Sequence, residues 1–163
     1  MVYYFAYGSN LDYTRMFDRC ESAEVVCRAT LEGYRLVFME NNSKKVVANI
    51  IKDEKNHVDG VVYEITHKDL KLLDGYEGHP TVYKRKSVNI SIKGEIKQVF
   101  VYVMPKKYDI KLGKRTIKVT RHYGIPKGDY FTYIQNGYTM FKLSQGKLME
   151  AYKYSRDLGK KLK

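Results

Sequence analysis

The chain has 163 residues, of which 44% are hydrophobic and 13% aromatic; this suits one globular core and excludes a disordered tail. Charge interrupts every apolar run before the roughly 20 residues that a membrane-spanning helix needs. Thirty Lys+Arg against 18 Asp+Glu give a formal net charge of +12, which attracts acidic partners but says nothing about fold.

Residues 1–7 are apolar, lack a basic lead and run straight into a turn, so they read as a strand of the mature fold and not as a secretory signal. The turn Tyr7-Gly8-Ser9-Asn10 precedes helical spacing over 12–19. Apolar runs of strand length follow at 25–31, 34–38, 46–51 and 58–65. Thr66 offers an N-cap for a short helix over 67–74, which ends in the glycine-rich turn Asp74-Gly75-Tyr76-Glu77-Gly78-His79-Pro80. Beyond it, residues 87–92 alternate like a strand with one wet face, and 99–103 are apolar on both faces, as in an interior strand. Lys93-Gly94 between them suits a tight hairpin. Residues 106–121 form a basic excursion with Asp109 as the only acid, and 115–120 alternate like an exposed strand. Helical patterns over 128–141 and 145–161 complete the chain, the latter running into a lysine-rich tail that ends at residue 163. No repeat or linker divides the sequence, so the expectation is one α+β domain over 1–163.

A glycine-bearing turn between a buried strand and a helix start can present backbone N–H groups to an anion, because those donors lack intrahelical partners. Gly8 to Leu11 meets that description, but these four residues alone favour the plainer reading that Ser9 or Asn10 caps the helix. Glu77, in a turn, is a candidate general base if partly desolvated, and the neighbouring Asp74 is equally eligible by spacing. The four histidines show no metal-ligand spacing. Cys20 and Cys27 belong to no nucleophile signature and are too few for a disulfide framework, which makes the cytosol the expected compartment. Neither a P-loop nor a Gly-x-Ser-x-Gly elbow is present.

Taken in order, Phe5-Ala6-Tyr7-Gly8-Ser9-Asn10-Leu11, Gly60-Val61-Val62-Tyr63-Glu64-Ile65 and Leu72-Leu73-Asp74-Gly75-Tyr76-Glu77-Gly78 resemble the γ-glutamylcyclotransferase, or AIG2-like, family. Tyr102-Val103-Met104 resembles its late strand, and Ile125-Pro126-Lys127-Gly128-Asp129-Tyr130 its proline-led helix. The resemblance implies a mixed β-barrel of about six strands flanked by short helices. It also implies a small γ-glutamyl substrate held by Tyr7, Gly8, Ser9, Asn10 and Leu11, with Glu77 as catalytic acid/base and Tyr130 lining the pocket. The implied reaction converts a γ-glutamyl amino acid or amine to 5-oxoproline and the free amine, with no metal or cofactor.

The stretch 106–121 is longer and more basic than the family's usual connection, and is expected either to reshape the pocket or to recruit an acidic partner. Two other readings compete with the enzyme: a basic module contacting nucleic acid through phosphates and tyrosine stacking, and a sensor that keeps the fold without the chemistry. Against the first, the cations are spread along the chain and no nucleic-acid motif accompanies them; against the second, the acid at Glu77 is present.

Overall fold

The computed structural model describes residues 1–161; the end of the lysine-rich tail, 162–163, lies outside the described residues. Its elements are β1 (Val2–Ala6), a 3-10 turn (Ser9–Leu11), α1 (Tyr13–Arg19), β2 (Glu24–Glu40), β3 (Val46–Ile65), α2 (His67–Tyr76), β4 (Lys84–Ile92), β5 (Glu95–Val103), β6 (Lys107–Leu112), β7 (Arg115–Thr120), α3 (Asp129–Met140) and α4 (Gln145–Lys161). Five strands form one sheet in the order β2-β3-β1-β5-β4, and β6 and β7 pair as a separate hairpin. No helix among the described residues is long and apolar enough to cross a membrane.

β1 is central, antiparallel to β3 and parallel to β5, which makes the sheet mixed. Its place follows from composition: Phe5 and Ala6 are fully buried, and a strand covered on both faces has no use for alternation. β5, expected to be interior, lies between β1 and β4, and the alternating β4 forms an edge. The expected barrel is not formed. The sheet is open: β2 and β4 are its two edges and share no ladder. One reason is visible along β2, where α4 occupies backbone positions that a further strand would need; the Ser155 hydroxyl accepts the Phe38 N–H at 2.8 Å and donates to the Ala151 carbonyl at 2.8 Å.

The four apolar runs expected between 25 and 65 are two long strands, of 17 and 20 residues. A register shift at Val25/Cys27 lies within the first run, and one at Glu32/Tyr34, where the partner steps from His57 to Lys52, separates the runs of both strands without ending either. Gly33, at φ 76, takes the second irregularity; an extra residue there resets which side chains face inward, so one bent strand looks like two in the sequence.

α3 approaches the 3-10 turn so closely that a Cβ on Gly137 would stand 2.2 Å from the Leu11 Cβ. In an ordinary helix interior Gly→Ala gains up to about 1 kcal/mol. Here overpacking reverses the sign, and Gly137→Ala is expected to lower unfolding stability by about 1–3 kcal/mol, read from denaturant midpoints.

Candidate active site

The buried strand β1 delivers the chain to Tyr7 and Gly8, after which the 3-10 turn Ser9–Leu11 bends it into α1. The cap of α1 is Asp12, whose side chain accepts the Arg15 N–H, while Gly8 precedes the 3-10 turn without any side-chain cap. Neither Ser9 nor Asn10 is therefore spent on capping that helix. Instead the Asn10 amide, only 3% exposed, donates to the Tyr4 hydroxyl at 2.9 Å and to Glu77 Oε1 at 3.2 Å.

Glu77 arrives from the far side. A reciprocal Thr66–Asp69 capping box starts α2, and the helix runs to Tyr76 with Glu77 as its C-cap, two residues beyond the expected end. Gly78, at φ 62, turns the chain away. A helix C-terminus disfavours a carboxylate, and the Glu77 side chain is only 16% exposed. Burial pushes its pKa above the ordinary value, opposed by the Arg19 charge, the Asn10 hydrogen bond and Arg15, in that order. The Arg19 Nη1 atom donates to Asn10 Oδ1 at 2.8 Å and lies 3.5 Å from Glu77 Oε1. Asn10 and Arg19 thus fix the carboxylate from one side.

The choice between the two neighbouring acids is made by their surroundings. Asp74 accepts the Tyr102 hydroxyl at 2.7 Å and the Arg85 guanidinium at 2.5 Å, so both of its oxygens are occupied by fold-holding partners. Glu77, by contrast, faces a small recess of about 30 Å³ and also a cleft of about 1070 Å³, the two joined along Ser9, Glu77, Tyr83 and Tyr130.

Tyr7, Gly8, Ser9, Asn10 and Tyr130 all line the recess with Glu77. Tyr7 donates to the Tyr102 carbonyl at 2.5 Å, and the Tyr130 hydroxyl accepts the Ala48 N–H at 2.9 Å. Leu11 does not join them: its side chain is fully buried and its N–H donates to the Gly8 carbonyl at 3.0 Å, so its part is to hold the turn. Burial raises the Tyr7 and Tyr83 pKa values well above the phenol range and pushes Tyr130 up to about 12, so these hydroxyls stay protonated at neutral pH. Cys20 is buried and its thiol pushed up to about 12, mainly by desolvation, as suits a core residue.

Sequence reasoning missed Arg15, Arg19, Tyr4, Tyr83 and Tyr102. The two arginines had a signal, since a spacing of four places both on one face of α1, directly after the glycine turn. The tyrosines had none; only sheet pairing gathers residues so far apart in sequence. The basic hairpin β6–β7 contributes no side chain to either cavity.

A family model, gamma-glutamyl cyclotransferase, AIG2-like, matches residues 4–132. A Methanocaldococcus jannaschii protein provisionally named gamma-glutamylcyclotransferase is 37% identical over 62 residues, 37% of this chain and 52% of that one. Human gamma-glutamylcyclotransferase is 36% identical over 81 residues, 46% of this chain and 43% of the human one. The matches thus span about half the length of these curated relatives or less. A solved gamma-glutamyl cyclotransferase structure superposes with TM-score 0.74 at 24% identity, 92% of this chain on 85% of that chain, a likeness of fold. The family model covers the loop, the recess and Glu77 alike, and this chain belongs to the gamma-glutamyl cyclotransferase, AIG2-like family.

Proposed function

We propose that the protein cyclises a γ-glutamyl compound to 5-oxoproline and releases the amine, with Glu77 as the proton carrier. One observation carries this reading: Glu77 is a desolvated carboxylate held by Asn10 and Arg19 where the recess meets the cleft.

The recess has room for a charged head group and not for a whole substrate. Backbone N–H groups at the start of the 3-10 turn, from Gly8 to Asn10, suit the α-carboxylate, which sets the adjacent α-ammonium against Glu77. An α-ammonium with a pKa near 8 is mostly protonated at neutral pH, so a base must take its proton before the nitrogen can attack. The freed nitrogen attacks the γ-carbonyl carbon. A new C–N bond closes the five-membered lactam, the C–N bond to the leaving amine breaks, and the proton held by Glu77 passes to the departing nitrogen; the carboxylate so regenerated takes the second proton that the attacking nitrogen sheds on becoming a lactam N–H, and that proton leaves with the released amine as its ammonium. Nucleophile and electrophile share one molecule, so the entropic cost is small once the site has folded the substrate.

The test is 5-oxoproline release, followed by mass spectrometry, from a panel of γ-glutamyl dipeptides and amines. Release supports the reading; its absence across the panel refutes it. The pH profile adds a second check. A base with a raised pKa loses activity on acidification earlier than an ordinary carboxylate would, so the acid limb of kcat/KM is expected above the usual carboxylate range. Arg19 favours the ionised form; Arg19→Met therefore moves that limb to still higher pH. A limb that stays put or moves down would show that Arg19 does not tune Glu77.

A further inference from the structure

The cleft beyond Glu77 is far larger than a γ-glutamyl group requires, and its ionic lining is one-sided. Arg15 and Arg19 stand at its inner end, beside Ser9 and Glu77. Further out it is lined by Lys44 and Lys45 from the β2–β3 turn, Lys127 before α3, and Arg156 and Lys160 from α4. Besides Glu77, the only acid lining it among the described residues is Glu40, which lies 3.2 Å from Lys44. Arg156 is paired with Asp157 at 2.9 Å, whereas Lys45 and Lys127 form no ion pair among the described residues.

These cations are held in place by the fold. The Asn41 side chain accepts the Ser43 and Lys45 N–H groups, and the Lys44 N–H donates to the Asn41 carbonyl, which closes the turn carrying both lysines. Buried Arg121 then clamps that turn from below, donating to the Glu40 carbonyl at 3.2 Å and to Asn42 Oδ1 at 2.7 Å. On the opposite wall, Gly159 permits α4 to lie against the chain at Tyr123, where a Cβ would meet the Tyr123 carbonyl at 2.6 Å; this close approach brings Arg156 and Lys160 to the cleft.

We infer that the amine released by this protein is large and multiply anionic: its γ-glutamyl end reaches Glu77 while its acidic groups lie along the cationic cleft. The inference rests on the proposed cyclisation and names the substrate class for that same site. A concave surface of one sign focuses field on the space it encloses, and lysines serve as point charges for carboxylate or phosphate alike. A basic leaving group would meet Arg15, Arg19 and the outer lysines, while the two acids of the lining, Glu77 and Glu40, are already engaged by Arg19 and Lys44.

The experiment is 5-oxoproline release from a charge ladder: γ-glutamyl-methylamide, γ-glutamyl-alanine, γ-glutamyl-glutamate and γ-glutamyl-γ-glutamyl-glutamate, whose leaving groups carry none, one, two and three carboxylates. γ-Glutamyl-O-phosphoserine separates anionic charge in general from carboxylate in particular. In about 20 mM salt, kcat/KM is expected to rise at least about tenfold from the bottom of the ladder to the top, and the spread to shrink to about threefold or less near 0.5 M salt. The double variant Lys45→Glu/Lys127→Glu is expected to lower the top-to-bottom ratio about tenfold, more than screening alone removes from a single exposed pair. Rates within about twofold along the ladder, or a ratio unmoved by the double variant, overturn the inference while the cyclisation stands. No 5-oxoproline from any member overturns the reaction and the inference together.

Discussion

Glu77→Gln is expected to reduce 5-oxoproline formation by about 10²–10⁴-fold, the usual loss when a general acid–base group is removed. The substitution keeps the shape and an acceptor oxygen for Asn10 and Arg19, but removes the capacity to accept the ammonium proton. Stability should move the other way, if it moves. The Glu77 pKa is raised in the folded protein, so the folded state favours the protonated form, and above that pKa the ionised carboxylate subtracts from stability. A neutral amide carries no such cost at neutral pH. Thermal unfolding of the variant is therefore expected at or above the parent's Tm, which distinguishes lost chemistry from lost fold. Retention of more than about a tenth of the activity would rule out Glu77 as the base. Asp74→Asn supplies the contrast: it weakens the bonds to Tyr102 and Arg85 and acts on stability first.

The second large effect concerns a residue remote from the chemistry. Arg121 is 1% exposed, and its guanidinium donates to the Pro105 carbonyl at 2.8 Å, the Glu40 carbonyl and the Asn42 side chain, with its Cζ 4.5 Å from the centre of the Tyr108 ring. Arg121→Met preserves much of the bulk but leaves two backbone carbonyls and an amide oxygen without their donor. Losing hydrogen bonds to a charged group costs about 1.5–3 kcal/mol each before relaxation. Because the three share one partner and water can enter, a total near 3 kcal/mol is expected, or about 6–12 °C in Tm for a chain of this size. The same variant loosens the turn that carries Lys44 and Lys45, so the charge dependence of the reaction should weaken with it. An unchanged Tm would show that the guanidinium clamps nothing.

Arg121 also shows where sequence reading reaches its limit. It sits in a stretch of 16 residues with seven Lys or Arg and a single acid, and nothing local distinguishes it from the solvated cations of the hairpin. Burial of an arginine is decided by which carbonyls the fold brings to it, and these belong to residues 81 and 16 positions away. Glu77 and Asp74 pose the same problem at shorter range. Both lie in one helix-to-turn segment, yet Asp74 meets Arg85 and Tyr102 across the sheet while Glu77 meets the loop after β1. Sequence spacing contains no term for that difference.

The sequence by itself determined the element types outside β6, the interior character of β1 and β5, the glycine turn that starts the site, and a family resemblance that the family model bears out. These properties are local: periodicity, turn chemistry and short ordered motifs are each read within a few residues. Only the tertiary structure decided that the sheet stays open, that four apolar runs are two bent strands, that Leu11 supports the site from the core, and that one of two adjacent acids faces the cavity. It alone showed that the cleft's cations come from α1, the β2–β3 turn, the segment before α3 and α4, while the conspicuous basic hairpin stays apart. The physical reason is the same in each case. Burial, pairing and local field are set by neighbours distant in sequence, and a single side chain keeps or loses its charge, its exposure and its partners according to which of them the fold supplies.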